Sequence, residues 1–287
     1  MQKIKLVLIV GLSNGKIVYE YFSKNKNCEV VLLITYPDDC NKPRHMDIGY
    51  NTKHKTIITY AANDYVAEII EANVDFIFVA GWSELLNEKI LSASKNGVIG
   101  FHPSRLPNDR GRSVLAWQIE DGYTETALSM FYYGDIPDNG DIIAQENIKI
   151  NELDYINDVL DKVDRATYNL LRAYFPLLKN GKAPRIKQNN NEGNFRRLRT
   201  EIDSLIDWDQ PAKVIINKVR AISHPYPGAI TELSNSKYKV WKVEIVNEFS
   251  FGINTFPGTI VAKLYNNQLI IRSRDAFIKV IDYEEFI

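Results

Sequence analysis

Apolar residues fall in short unbroken runs through the first half of the chain. Ile4 to Val10 is interrupted only by Lys5 and stops at Gly11, which predicts a strand buried on both faces and central in a parallel sheet. Beyond the turn Gly11-Leu12-Ser13-Asn14-Gly15, the positions Ile17, Val18, Tyr21 and Phe22 have helical spacing, with Ser13 or Asn14 available as N-cap. Glu29–Ile34, Asp75–Ala80 and Gly97–Phe101 read as further buried strands, separated by helical patterns around Tyr65–Ile70 and Leu86–Ser92. The polar, turn-rich stretch Tyr36–Lys55 is expected to be a surface excursion. Further strands are expected at Thr126–Tyr133 and Asp141–Ile150, followed by a long helix over Asp154–Leu178 with Val159, Leu160, Val163, Leu170, Leu171 and Phe175 on one broad face. This alternation predicts an α/β class with a Rossmann-like open, mainly parallel sheet.

After Asn180-Gly181-Lys182-Ala183-Pro184 the pattern changes. One helix is expected over Pro211–Ala221, then short strands at Lys237–Ile245, Gly258–Tyr265, Gln268–Ser273 and Ala276–Ile281, a small β-rich C-terminal domain. The expected boundaries are residues 1–188 for the first domain, 189–205 for a linker and 206–287 for the second.

Composition narrows the function classes. The 287 residues carry 35 Lys and Arg against 36 Asp and Glu, so no global charge favours a polyanionic partner. The apolar run from Leu6 to Leu12 is too short to cross a bilayer, and Met1-Gln2-Lys3-Ile4 opens no signal peptide. A cytoplasmic protein with a small substrate is expected, with no membrane or nucleic-acid partner. Cys28 and Cys40 lack CxxC spacing and the chain has 4 His, which fits reduced thiols and no metal.

The candidate chemistry lies in two stretches. Gly100-Phe101-His102-Pro103-Ser104-Arg105-Leu106-Pro107-Asn108-Asp109-Arg110-Gly111-Arg112 leaves the end of a buried strand, where open α/β sheets present side chains to a ligand crevice. Alone, His102 also reads as a strand-end histidine held by a backbone partner. The second stretch, Asp135-Ile136-Pro137-Asp138-Asn139-Gly140-Asp141, is a turn with three carboxylates, and alone reads equally as a solvated Asx-type turn. Arg110 and Arg112 suit phosphate geometry, or are solvated charges or partners of Asp109 or Asp121. Gly11-x-x-x-Gly15 lacks the GxGxxG spacing of a dinucleotide-binding turn, which argues against a dehydrogenase.

Together the stretches carry a resemblance. His102-Pro103-Ser104, Leu106-Pro107 and Arg110-Gly111, followed about 26 residues on by Asp138-x-Gly140-Asp141, resemble the signature of folate-dependent formyltransferases. The resemblance extends to Ala80-Gly81-Trp82-Ser83-Glu84-Leu85-Leu86, similar to the folate-pocket loop. It also takes in Ile206-Asp207-Trp208 and Pro225-Tyr226-Pro227-Gly228-Ala229, similar to the start of the C-terminal domain of methionyl-tRNA and sugar N-formyltransferases.

The resemblance implies transfer of a formyl group from 10-formyltetrahydrofolate to a primary amine, without a metal. It implies that His102 manages the amine proton and Asp138 stabilises the imidazolium, as acid–base chemistry near neutral pH requires. It implies folate contacts from Glu84, Leu85, Leu86, Leu91, Gly134, Asp135, Ile136 and Pro137, largely through main chain. Ser13, Asn14, Pro103, Ser104, Arg110 and Arg112 are the candidate substrate contacts. Two positions depart from the pattern: Gly100 stands where relatives carry an Asn that donates to the oxyanion, and Gly134-Asp135-Ile136 stands where they often carry Asp-x-Gly. Asn108, Asn139, a water or protonated His102 are the candidate replacements for the donor.

A tRNA substrate calls for a basic second domain, yet residues 201–287 hold 10 Lys and Arg against 11 Asp and Glu. Glycinamide ribonucleotide is served by shorter relatives, and the turn expected for its phosphate is only partly matched by Gly11–Gly15. The expected acceptor is therefore a nucleotide-linked amino-deoxy sugar of bacterial surface-glycan biosynthesis. A catalytically degenerate folate or nucleotide-sugar binder is the alternative of another class. Strand-rich C-terminal domains in such enzymes can mediate homodimers.

Overall fold

A computed structural model describes residues 3–49, 52–189, 191–234, 236–246 and 255–286. The chain packs into two compact units, one holding Met1–Gly111, Thr126–Ile148 and Asp161–Arg196, the other Arg112–Glu125, Lys149–Leu160 and Arg197–Ile287.

The first unit is built on a seven-stranded sheet. In chain order its strands are β1 (Ile4–Val10), β2 (Cys28–Thr35), β3 (Thr56–Ile58), β4 (Phe76–Ala80) and β5 (Val98–His102). A two-residue β6 (Arg110–Gly111) follows outside that sheet, then β7 (Glu125–Tyr132) and β8 (Ile142–Lys149) complete it. The order β3-β2-β1-β4-β5-β7-β8 puts β1 and β4 at the centre, with β1 to β5 parallel and β7 antiparallel to β5. Every residue of β4, and Leu6 to Val10 of β1, is buried. The continuous apolar runs thus mark strands covered on both faces.

Helix α1 (Leu12–Ser23) packs its Val18 and Phe22 inward. It begins earlier than its apolar spacing predicts, with Gly11 at the N-cap and no side-chain cap, so Ser13 and Asn14 lie in the first turn. Crowding makes the glycines of this turn necessary: a Cβ on Gly11 would meet the Tyr36 ring at 2.4 Å, and one on Gly81, which has φ +63, would meet the Gly11 carbonyl at 2.2 Å. The opening glycine turn is therefore packed against its neighbours, with the Tyr36 ring inside it. Tyr36, Cys40 and Ile48 are buried, so part of the stretch expected on the surface belongs to the interior, and it leads into β3, an edge strand too short for periodicity to reveal. Residues 50 and 51 of that stretch lie outside the described residues.

Short helices α2 (Val66–Glu71), preceded by a 3-10 turn, and α3 (Glu88–Leu91) sit where their patterns placed them. Asn87 caps α3 by accepting from the Ile90 N–H. The long helix, observed over Ile156–Lys179 with Pro176 in its last turn, matches the expected span within two residues.

The second unit contains α4 (Val114–Glu120), which the pattern reading missed because five of its seven residues are buried and leave no amphipathic stripe. With the long helix numbered α5, the helix Ala212–Ala221 is α6. The five-stranded sheet runs β10 (Ala229–Leu233), β11 (Ser236–Val246), β14 (Phe277–Phe286), β13 (Leu269–Arg272), β12 (Ile260–Lys263), after a two-residue β9 (Phe195–Arg196) in the first unit. All of its pairings are antiparallel. The missed β10 pairs with the first half of β11, and β14 extends five residues past its predicted end because β11 offers it a full-length partner, Lys237 opposite Phe286. Glu120 anchors this unit's helices, meeting both Arg199 and Lys218 at 2.6 Å.

Among the described residues no helix is long and apolar enough to cross a membrane. Cys28 and Cys40 are free and buried, and burial pushes the Cys28 thiol up to about 11.

Candidate active site

His102 is the last residue of β5 and only 6% exposed. The antiparallel register sets it opposite Ser129 and sets Gly100 opposite Phe131, so these four positions share one face of the sheet. The loop that leaves β5 is braced from that face. Ser129 Oγ donates to the Ser104 carbonyl at 2.6 Å and accepts from the Leu106 N–H at 3.3 Å. Gln145 Nε2 donates both to the Leu106 carbonyl and to Ser129 Oγ, each at 2.9 Å. Ser104 is fully buried and its hydroxyl donates to the Asn108 carbonyl at 2.7 Å.

The brace delivers a backbone carbonyl to the imidazole. His102 Nε2 lies 2.8 Å from the Asp109 carbonyl oxygen. A carbonyl only accepts, so Nε2 carries the hydrogen and Nδ1 presents its lone pair in the neutral ring. Asp109 is held in a left-handed conformation, φ 52, with its side chain turned inward. Its carboxylate meets Arg196 Nε at 2.6 Å and Asn194 Nδ2 at 2.9 Å, and its N–H donates to Asn194 Oδ1 at 2.9 Å.

Nδ1 faces the second loop, with Asp138 Oδ1 3.6 Å away. Asp138 is also left-handed, φ 58, and its Oδ2 accepts from the Gly111 N–H at 2.9 Å. Gln188 Nε2 holds that loop by donating to the Asp138 carbonyl at 2.8 Å and the Gly140 carbonyl at 2.7 Å. Gln188 in turn accepts from Arg110 Nη2 at 2.9 Å. The two aspartates thus bracket one ring, giving it a fixed tautomer through Nε2 and a carboxylate acceptor beside Nδ1.

Gly100 leaves a space that an aromatic ring fills. A Cβ added there would meet Tyr133 Cε2 at 2.2 Å, Cδ2 at 2.9 Å and Cζ at 3.2 Å. Tyr133 stacks on Phe131 at 5.5 Å and 11°, and burial, with the Asp138 charge adding, pushes its phenol well above the ordinary range.

The remaining sequence-derived positions divide by exposure. Leu85 is 70% exposed and Ile136 46%, whereas Leu86 and Leu91 pack against the sheet core. Glu84 spends its carboxylate internally, accepting from the Ala62 N–H, Asn63 Nδ2 and Trp82 Nε1. Trp82 stacks on Tyr36 at 4.2 Å and 6°. Asp135 Oδ1 accepts from the Ile136 N–H and Asn139 Nδ2, while Asn139 Oδ1 crowds Gly134 and accepts from the Ile136 N–H. Pro137 is exposed and Pro103 half-buried. Arg110 is buried at 2% over the Phe195 ring. Arg112 is exposed and belongs to the second unit. Ser13 Oγ donates to Asp164, which also pairs with Arg44 at 2.9 Å, and Asn14 Oδ1 accepts from the Gly15 N–H. In the second unit, Trp241 is buried and stacked on His224 at 4.4 Å.

Sequence reasoning missed Gln188, Asn194, Arg196 and Tyr133. The first three fall in or beside a polar, glycine-bearing stretch that reads as a connector, and their partners lie 48 to 87 positions away. Gly193, φ +83, was the local signal, since a Cβ there would strike the Pro107 carbonyl at 2.0 Å. Among the described residues no group of three or more His, Cys, Asp or Glu is placed to hold a metal.

A family model described as formyl transferase matches residues 4–174, and one described as formyl transferase, C-terminal domain, matches residues 199–285. Among solved structures, WlaRD, a sugar 3N-formyl transferase determined with dTDP and 5-N-formyl-THF, is 18% identical with TM-score 0.74 over 100% of this chain and 99% of its own. An N-formyltransferase from Helicobacter canadensis, in complex with folinic acid and dTDP-3-aminofucose, is 19% identical with TM-score 0.74 over 99% of this chain and 100% of its own. HypX from Aquifex aeolicus, in complex with tetrahydrofolic acid, is 16% identical with TM-score 0.72, and this chain spans 45% of its length. With the first match covering more than half of the sequence and containing both His102 and Asp138, the chain belongs to the formyl transferase family.

Proposed function

We propose that this protein moves a formyl group from 10-formyltetrahydrofolate to the primary amine of a nucleotide-linked amino-deoxy sugar. The observation that carries the reading is the His102 imidazole, oriented by the Asp109 carbonyl at 2.8 Å with Nδ1 turned toward Asp138 at 3.6 Å. It occurs within a matched formyl transferase domain.

The amine nitrogen attacks the formyl carbon, and the carbonyl π pair moves onto oxygen. His102 Nδ1 takes the proton that the amine releases, and the Asp138 carboxylate stabilises the resulting imidazolium. On collapse the bond from the formyl carbon to the donor nitrogen breaks, and His102 returns the proton to that nitrogen. Tetrahydrofolate and a formamide remain. Proton management by a positioned base contributes roughly 10²- to 10⁴-fold in rate. For the folate donor, the exposed Leu85 and Ile136 side chains offer apolar contact, and the loop backbone between Gly134 and Pro137 offers donors and acceptors. Ser104 and Glu84 have their polar groups engaged within the fold, and Arg110 spends Nη2 on Gln188; all three serve the scaffold in this reading.

Two observations favour a sugar nucleotide over tRNA. Residues 201–287 carry no excess of basic residues, and phosphate-backbone affinity comes from Lys and Arg. The sugar 3N-formyl transferase and the N-formyltransferase in complex with dTDP-3-aminofucose match essentially the whole chain at both lengths.

The test is to incubate the protein with 10-formyltetrahydrofolate and dTDP-, UDP- and GDP-linked 3- and 4-amino sugars and to follow product mass. The expected product is a sugar nucleotide heavier by one CO. Its absence across the panel, with transfer to methionyl-tRNA or glycinamide ribonucleotide instead, overturns the acceptor. Tight binding of folate or sugar nucleotide without any transfer makes the protein a binder.

A further inference from the structure

Attack on a formyl carbon places a full negative charge on its oxygen, and that charge needs a hydrogen-bond donor in place before the reaction begins. The His102 ring has both nitrogens committed, Nε2–H to the Asp109 carbonyl and Nδ1 to the proton beside Asp138. Position 100, two residues before His102 and on the same face of β5, is a glycine.

The other amides near the loops are ill placed for the task. Asn139 is bound within its own turn to Asp135 and the Ile136 N–H, and Asn108 is exposed at the loop surface. Tyr133 is different. Its ring occupies the volume a side chain on Gly100 would take, with Cζ 3.2 Å from the Cβ position, so its hydroxyl stands one bond beyond that volume. Its backbone N–H is tied to the Val98 carbonyl at 2.8 Å, and its ring is clamped against Phe131.

We infer that Tyr133 is a further catalytic residue, its phenol reaching past Gly100 to donate a hydrogen bond to the oxyanion formed beside His102. The pairing is reciprocal: glycine at 100 is required because the tyrosine ring lies there, and the tyrosine supplies the donor that glycine lacks. A phenol already keeps its proton at neutral pH, and burial strengthens that preference here, so the hydroxyl is in the form that donates. This inference rests on the formyl-transfer reading above.

Tyr133→Phe removes the hydroxyl and keeps the ring, so packing over Gly100 and Phe131 survives. We expect kcat to fall by about 10²- to 10³-fold, the usual cost of one oxyanion donor, with KM for donor and acceptor within about threefold and an unchanged melting temperature. Hydrolysis of 10-formyltetrahydrofolate to formate by the same protein passes through an equivalent oxyanion with water as nucleophile, and should slow in parallel.

A second variant pair separates donor from filler. Tyr133→Ala should lose both, and adding Gly100→Asn to Tyr133→Ala should recover at least about tenfold in kcat by placing an amide in the vacated space. A Tyr133→Phe enzyme as fast as the wild type overturns the inference, as does a double variant no faster than Tyr133→Ala. A wild-type protein that neither transfers nor hydrolyses the formyl group overturns the functional reading and this inference with it. Wild-type turnover with an unslowed Tyr133→Phe overturns this inference alone.

Discussion

The two loops that meet at His102 each present an aspartate in a left-handed conformation, and they use it in opposite ways. The loop after β5 buries the Asp109 carboxylate at 1% exposure against Arg196 and Asn194 and spends its main-chain carbonyl on the imidazole. The loop before β8 keeps its Asp138 carboxylate beside the ring and anchors its main chain to Gln188. In the proposed reaction one aspartate is therefore structural in its charge and functional in its backbone, and the other is the reverse. A charge sealed against a cation cannot respond to a proton arriving on the imidazole, whereas a carboxylate 3.6 Å from Nδ1 can.

That contrast can be broken from either side. The largest effect is expected at the pair proposed to react. His102→Asn should abolish transfer with the melting temperature unchanged, and Asp138→Asn should lower kcat by roughly 10²- to 10³-fold with little change in KM. An Asp138→Asn enzyme altered only in folate affinity would move Asp138 from catalysis to binding.

Arg196→Ala tests the other aspartate. It strands a buried carboxylate, and the expected loss is about 3 kcal/mol of unfolding free energy, read by urea denaturation. The remaining Asn194 hydrogen bond and the partial exposure of Arg196 soften that figure. A variant as stable as the parent but catalytically dead would mean that the Asp109 charge, and not its carbonyl, acts in the reaction.

Leu85→Ala sets the lower bound. At 70% exposure the side chain contributes little to folding, so stability should shift by less than about 0.5 kcal/mol. If Leu85 covers the folate, KM for 10-formyltetrahydrofolate rises severalfold while kcat holds, and steady-state kinetics with the donor varied would show it.

Much of this was legible before any coordinates. The runs at Ile4–Val10 and Phe76–Ala80 announce strands buried on both faces because lysine or polar interruptions are nearly absent from them. His102 and Asp138 were found as members of one motif, and the structure brings them to within 3.6 Å. Elements without a local pattern escaped. Helix α4 is buried on too many sides to show an apolar stripe, and β3 and β10 owe their existence to the strands they pair with. The stretch around Tyr36 looked like surface because its turn residues outnumber its apolar ones, yet the Tyr36 ring stacks on Trp82 inside the unit.

The amino-acid sequence by itself determined the alternation of strand and helix, the change to a β-rich pattern after residue 200 and the motif that joins His102 to Asp138, the pair proposed to handle the proton. Each is carried by residues close together or by a motif whose spacing is constrained. Only the tertiary structure decided how that pair is held. Arg196 reaches Asp109 across 87 positions, Gln188 reaches Asp138 across 50, and Tyr133 covers Gly100 because β7 runs antiparallel to β5 in one particular register. Such contacts follow from which backbone groups the packed sheet brings within hydrogen-bonding distance, and no local periodicity encodes a partner fifty residues away.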